Sequence, residues 1–149
     1  MQRSKLSRDE GSASLEFITA GLLLLIPLVY LVLAMSTIQG GALSVEGASR
    51  QAARVFVQAP DEGSADTRAQ TAVNFALSDC GLGSAPTTVR VTCRPNPGVC
   101  LTRRGFVTVT VTANVPLPLV PNVLALKTPL SVPMTATSTE QVSRFWGEG

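Results

Sequence analysis

An α+β fold is what this chain predicts: a long N-terminal helix that is transmembrane first and amphipathic later, a second short helix, and a small three-stranded antiparallel sheet. Three observations carry that expectation. Residues 17–38 contain no charged side chain. Residues 38–59 then place small and apolar side chains at helical spacing. Beyond "CGLGSAPT" (residues 80–87) the apolar period drops from 3.6 to 2.

Composition sets the limits. The 149 residues hold one compact domain plus an extension, and 45% hydrophobic against 15% charged side chains is apolar for a freely soluble protein. A net charge of +2 with no basic stripe interleaved with aromatics argues against nucleic acid as a partner. The chain has no histidine, which removes imidazole catalysis, histidine metal sites and histidine pH switches together. No nucleophile elbow, phosphate-binding loop or metalloprotease motif is present. Neither an enzyme, a cofactor, a metal nor a small-molecule substrate is expected.

The first element begins at the membrane. Thirteen of the residues from Phe17 to Ile38 are Phe, Ile, Leu or Val, which together favour insertion by roughly 6 kcal/mol. The segment is long enough to cross a hydrocarbon core about 30 Å thick. Glu16 stands at its border, where a carboxylate costs less than the roughly 2.5–3.5 kcal/mol it costs at the bilayer centre. Arg3, Lys5 and Arg8 precede the segment and no positive charge follows in residues 36–45. That bias holds the N-terminus in the cytoplasm and places the C-terminal domain outside. Pro27 lacks an N–H, a defect that membrane helices tolerate, and Gly40-Gly41 is a second soft point near the membrane exit.

A secretory signal peptide has a shorter apolar run, although Ala34-Met35-Ser36 would serve as a weak cleavage site. A plain single-pass anchor explains length and flanking charge but leaves "GSASLEF" (residues 11–17) without a reason. That stretch resembles the type IV pilin-like signature: a short basic leader, a glycine, four small or apolar residues, a glutamate, and a hydrophobic helix opening with an aromatic. Taken with "GGALSVEGASRQAARVFVQA" (residues 40–59), the chain resembles TadE-like minor pseudopilins of the tight-adherence (type IVc) pilus over about residues 8–59.

The resemblance implies that a prepilin peptidase cuts between Gly11 and Ser12, making Glu16 the fifth mature residue and Phe17 the aromatic that opens the apolar helix. It also implies other pilus subunits and an assembly platform as partners, besides membrane lipid. Elementary electrostatics agrees: a carboxylate in the first turns offsets a new α-amino group and the positive end of the helix. Glu16 can also face the amine of a neighbouring subunit, where a low dielectric strengthens pairing. On this reading residues 1–11 are a cytoplasmic leader, 12–59 the long helix with its membrane part at about 17–38, and 60–149 an exported α+β domain. The alternative is a membrane-tethered exported binding module unrelated to pili.

Past the membrane, Ile38, Ala42, Val45, Ser49, Ala52, Phe56 and Ala59 follow a four-three spacing, with Glu46, Arg50 and Arg54 on another face. Gly40, Ser44, Ala48 and Ala52 also recur every four residues, a ridge that lets backbones approach closely. This side is expected to pack on the protein's own domain, with subunit contact as the second use. Pro60 and Gly63 stop the helix, and Ser64 or Asp66 caps a second one over residues 67–78.

Three strands follow, at residues 88–93, 107–113 and 130–136. Pro133 cannot donate a ladder hydrogen bond, so the third strand is expected at an edge or with a bulge. The link "VPLPLVPNVLALKTP" (residues 115–129) reads as a crossover covering one end of the core. Cys93 and Cys100 bracket the turn-rich "RPNPGV", and the Cα separation across paired antiparallel strands suits a disulfide. Cys80 with Cys93, Cys80 with Cys100, or three free thiols are the alternatives.

Overall fold

The computed structural model describes residues 10–118 and 130–147, with side chains from residue 13 onward. Two α-helices precede a three-stranded sheet: α1 (Glu10–Val57), α2 (Glu62–Asp79), β1 (Thr87–Arg94), β2 (Phe106–Pro116) and β3 (Ser131–Gln141). The fold is α+β, as the change of period indicates. The chain divides into two compact units, residues 1–36 and residues 37–149. The division falls inside α1 rather than at residue 60, because the second half of that helix belongs to the α+β unit.

Helix α1 starts two residues before the expected Ser12 and ends at Val57, two residues short of Ala59. It runs unbroken through Pro27 and through Gly40-Gly41. In the α+β unit it buries Gly41, Ser44, Val45, Ala48, Ser49, Ala52, Ala53 and Phe56. From Gly41 onward the two stripes legible in the sequence merge into one face, whereas Gly40 of the four-residue ridge and Ala42 of the four-three seam are exposed. A rigid 3.5-residue repeat drifts around a straight 3.6-residue helix, so the seam slips by a position toward its start. Gly41 is the residue that benefits. A Cβ there would lie 2.5 Å from a Val115 methyl carbon, so only glycine lets the helix come this close to β2. Its role is contact with the sheet. On the opposite side Glu46, Arg50 and Arg54 are exposed, and Glu46 pairs with Arg50 one turn later.

Helix α2 begins five residues before the expected Thr67. Asp61 is its N-cap: its Oδ1 accepts the Ser64 N–H at 2.8 Å and its Oδ2 the Ser64 hydroxyl at 3.0 Å. These bonds, the backbone one first, hold the Asp61 carboxyl below its ordinary range. Gly63, read as a breaker, lies inside the first turn, where the cap outweighs its poor propensity. Ala65, Ala69, Val73 and Leu77 form the buried stripe. The helix ends in a Schellman motif: Leu82 N–H donates to the Leu77 carbonyl at 2.8 Å, Gly81 N–H donates to that of Ser78 at 3.0 Å, and Gly81 takes φ +73°.

The sheet order is β1-β2-β3 with both pairings antiparallel. Leu117 N–H donates to Leu130 O, and Val142 N–H to Gly105 O, on the register that pairs Asn114 with Pro133. Alternation along the ladder then makes Asn114–Pro133 a non-hydrogen-bonded pair, so the N–H that Pro133 lacks would face away from β2. The edge expected of this strand is observed, and the proline leaves no vacancy in the ladder. β3 also runs five residues past its apolar pattern, because β2 supplies partners as far as Gln141.

One sheet face is the core wall. Val107, Val109, Val111, Ala113 and Val115 of the central strand are fully buried and share one cluster with α1, α2 and Val142. Trp146 closes this cluster near the end of α1, its indole N–H donating to the Ala59 carbonyl at 2.9 Å. The other face carries threonines. In the non-hydrogen-bonded pairs, where side chains approach most closely, the hydroxyls of Thr108 and Thr139, Thr110 and Thr137, and Thr112 and Thr135 lie 2.8, 3.1 and 2.9 Å apart.

Cys93 and Cys100 form a disulfide with a Cα–Cα separation of 5.1 Å. It does not join paired strands: Cys93 lies opposite Val107, and Cys100 belongs to the connection before β2. The bridge tightens that connection, and Glu62 of α2 pins it by accepting the Leu101 N–H at 3.2 Å. Cys80 is free and exposed. Of the crossover segment, residues 119–129 lie outside the described residues, as do residues 1–9 of the leader.

Candidate functional site

The first half of α1 gathers the site residues that the sequence singles out. Gly11 and Ser12 lie in its first turn, and Glu16 follows Ser12 at i+4, one turn along the same face. Glu16 is exposed, and Phe17 beside it is 80% exposed. Ala13 and Ala20, three before and four after Glu16, place small side chains on both sides of the carboxylate. Leu15, Glu16, Thr19, Ala20 and Leu23 line a shallow hollow on this surface.

Farther along, every side of the helix is apolar and uncovered: Leu22, Leu23, Leu24, Leu25 and Ile26, which together circle the axis, are all exposed. A helix apolar all round needs lipid or other helices around it. This is the one described helix long and apolar enough to cross a membrane. Near its start Thr19 is satisfied locally, its Oγ1 donating to the Leu15 carbonyl at 2.7 Å. Such a bond removes the cost of a bare hydroxyl in hydrocarbon.

The helix includes the Gly11–Ser12 bond, whereas the expected cut would make Ser12 its first residue. Cleavage there asks only that the first turn open, and the first turn is where a helix lacks internal acceptors for its N–H groups. Once cut, a helix starting at Ser12 would hold its α-amino group one turn from Glu16.

Two features of the α+β unit escaped the sequence reading. Gln51, Val55 and Gln58 of α1 face Thr71, Ala72 and Phe75 of α2 across an open groove of about 680 Å3, with Phe75 67% exposed at its side. The signal was available, since Phe75 stands off the stripe formed by Ala69, Val73 and Leu77. The paired threonines were legible only as polar alternation, because register decides which of them meet. Among the described residues no group of three or more His, Cys, Asp or Glu side chains is placed to hold a metal ion.

No protein-family model matches the chain, and the comparisons with curated proteins and with solved structures return no match.

Proposed function

We propose that this protein is a pilin-like structural protein, a minor subunit or assembly factor of a tight-adherence type pilus, held as a single-pass membrane protein before assembly. The observation that carries the reading is the uncovered apolar half of α1 with Glu16 at its border, one turn after the predicted new N-terminus at Ser12.

The mechanism is mechanical. Lipid first covers the apolar side chains, with the N-terminus in the cytoplasm and the α+β unit outside. A prepilin peptidase removes residues 1–11 and leaves an α-amino group that is cationic at neutral pH. Glu16 neutralises that charge, in its own chain or in a neighbour, and the flanking Ala13 and Ala20 let another helix approach. An assembly platform then exchanges lipid for the apolar helices of other subunits, with no loss of apolar burial. The disulfide-bonded α+β unit remains outside, where an oxidising compartment keeps the bridge closed.

The open groove beside Phe75 favours a second reading, a membrane-tethered exported binding module. Glu16→Ala separates the two. On the pilus reading, membrane content of the protein is unchanged while the chain vanishes from the sheared surface-filament fraction and filaments decline, and Glu16→Gln behaves alike. Unchanged filament assembly in both variants would remove the role assigned to this carboxylate.

A further inference from the structure

We propose that the outer face of the three-stranded sheet binds acidic polysaccharide. Strand alternation and register place Arg90 beside Thr110 and Thr137, and set Arg94, Phe106 and Gln141 in one row at the end of the sheet. No Asp or Glu of the three strands shares this face; Glu140 lies on the other. Arg90 and Arg94 are exposed, and the ion pair formed among the described residues is Glu46–Arg50, on α1. Both side chains therefore face solvent without a carboxylate, their Cα atoms about 13 Å apart along one strand.

The chemistry around them suits a uronate polymer. A guanidinium takes a carboxylate through two parallel N–H donors. Phe106, 47% exposed between Arg94 and Gln141, offers a ring on which the C–H face of a sugar can rest. Each threonine pair uses one O–H internally and leaves the second O–H and several lone pairs free. The result is a sheet of donors and acceptors already held in place, so binding a sugar rim orders few side chains. Each contact is weak and solvent-exposed, which favours a polymer that engages many at once. Charge complementarity fixes the sign of that polymer as negative. The inference stands whether or not the chain enters a filament.

The test uses the full chain in nanodiscs of zwitterionic lipid, with alginate, dextran of matched length and a single-stranded oligonucleotide as probes in a biosensor assay. Alginate should bind and dextran should not, with binding weakening as salt rises. Arg90→Glu with Arg94→Glu should weaken alginate binding by about tenfold or more. Arg90→Gln with Arg94→Gln should weaken it in the same direction with the thermal melt preserved. Thr110→Val with Thr137→Val, which keeps strand propensity, should weaken it by about threefold. Arg68→Glu, on α2, should leave it unchanged. Absence of alginate binding, equal binding by the arginine variants, an equal loss in Arg68→Glu, or tighter binding of the oligonucleotide than of alginate would each overturn the proposal.

Discussion

Residues 13–36 and residues 37–57 belong to one helix, yet they are helical for different reasons. In the first stretch the apolar side chains point in all directions and lie exposed. In the second a single face is buried, against the sheet and α2, while Glu46, Arg50 and Arg54 stand on the other. Secondary structure alone does not separate the two stretches; the angular spread of apolar residues does. A stripe signals a helix that completes its own domain, and a full sleeve signals one whose surroundings come from outside the chain.

Charge placed on either side of that division should break different things. Val45→Asp puts a carboxylate where the native side chain is fully buried in the apolar core cluster. It should cost the α+β unit more than about 4 kcal/mol and abolish its cooperative thermal melt in detergent. Leu24→Asp places the same charge on a side chain that is 74% exposed. It should leave that melt in place while removing about 3 of the roughly 6 kcal/mol that favour insertion, moving protein out of the membrane fraction. Equal effects of the two variants on the melt would dissolve the distinction.

A smaller effect sharpens the comparison within the glycine pair. Gly40 faces open space, whereas a Cβ on Gly41 would overlap Val115. Gly41→Ala should destabilise the α+β unit by about 1–3 kcal/mol, and Gly40→Ala should be neutral or slightly stabilising. Adding Val115→Ala should return part of the loss caused by Gly41→Ala, which a double-mutant cycle on thermal unfolding measures. A cycle with no coupling would mean that the close approach of α1 to β2 is not what fixes this glycine.

Much of this architecture was legible because it rests on period. The uncharged run marked the first half of α1, the valines alternating with threonines marked β2, and Pro133 marked an edge or a bulge by the hydrogen bond it cannot make. Tertiary relations were less visible. Asp61 caps α2 although Ser64 and Asp66 were equally good candidates by type, and Gly63 tolerates the first turn because that cap holds it. The Cys93–Cys100 bridge was reached through cross-strand geometry, while the structure closes it through the connection before β2. Thr137–Gln141 join β3 because β2 extends far enough to pair them, which no local pattern in "TSTEQ" encodes. Of the candidate site, Glu16, Phe17 and the sleeve of leucines were readable as a unit, since they are contiguous. The threonine pairs and the Arg94–Phe106–Gln141 row depend on register and could not be.

The central claim is that the uncovered half of α1 stays with the mature protein and meets lipid first, then other helices. Intact-mass measurement of the protein extracted from membranes tests it directly. The account predicts a mature chain beginning at Ser12 that retains the apolar helix. A chain beginning near Thr37, recovered from the medium without that helix, would contradict it.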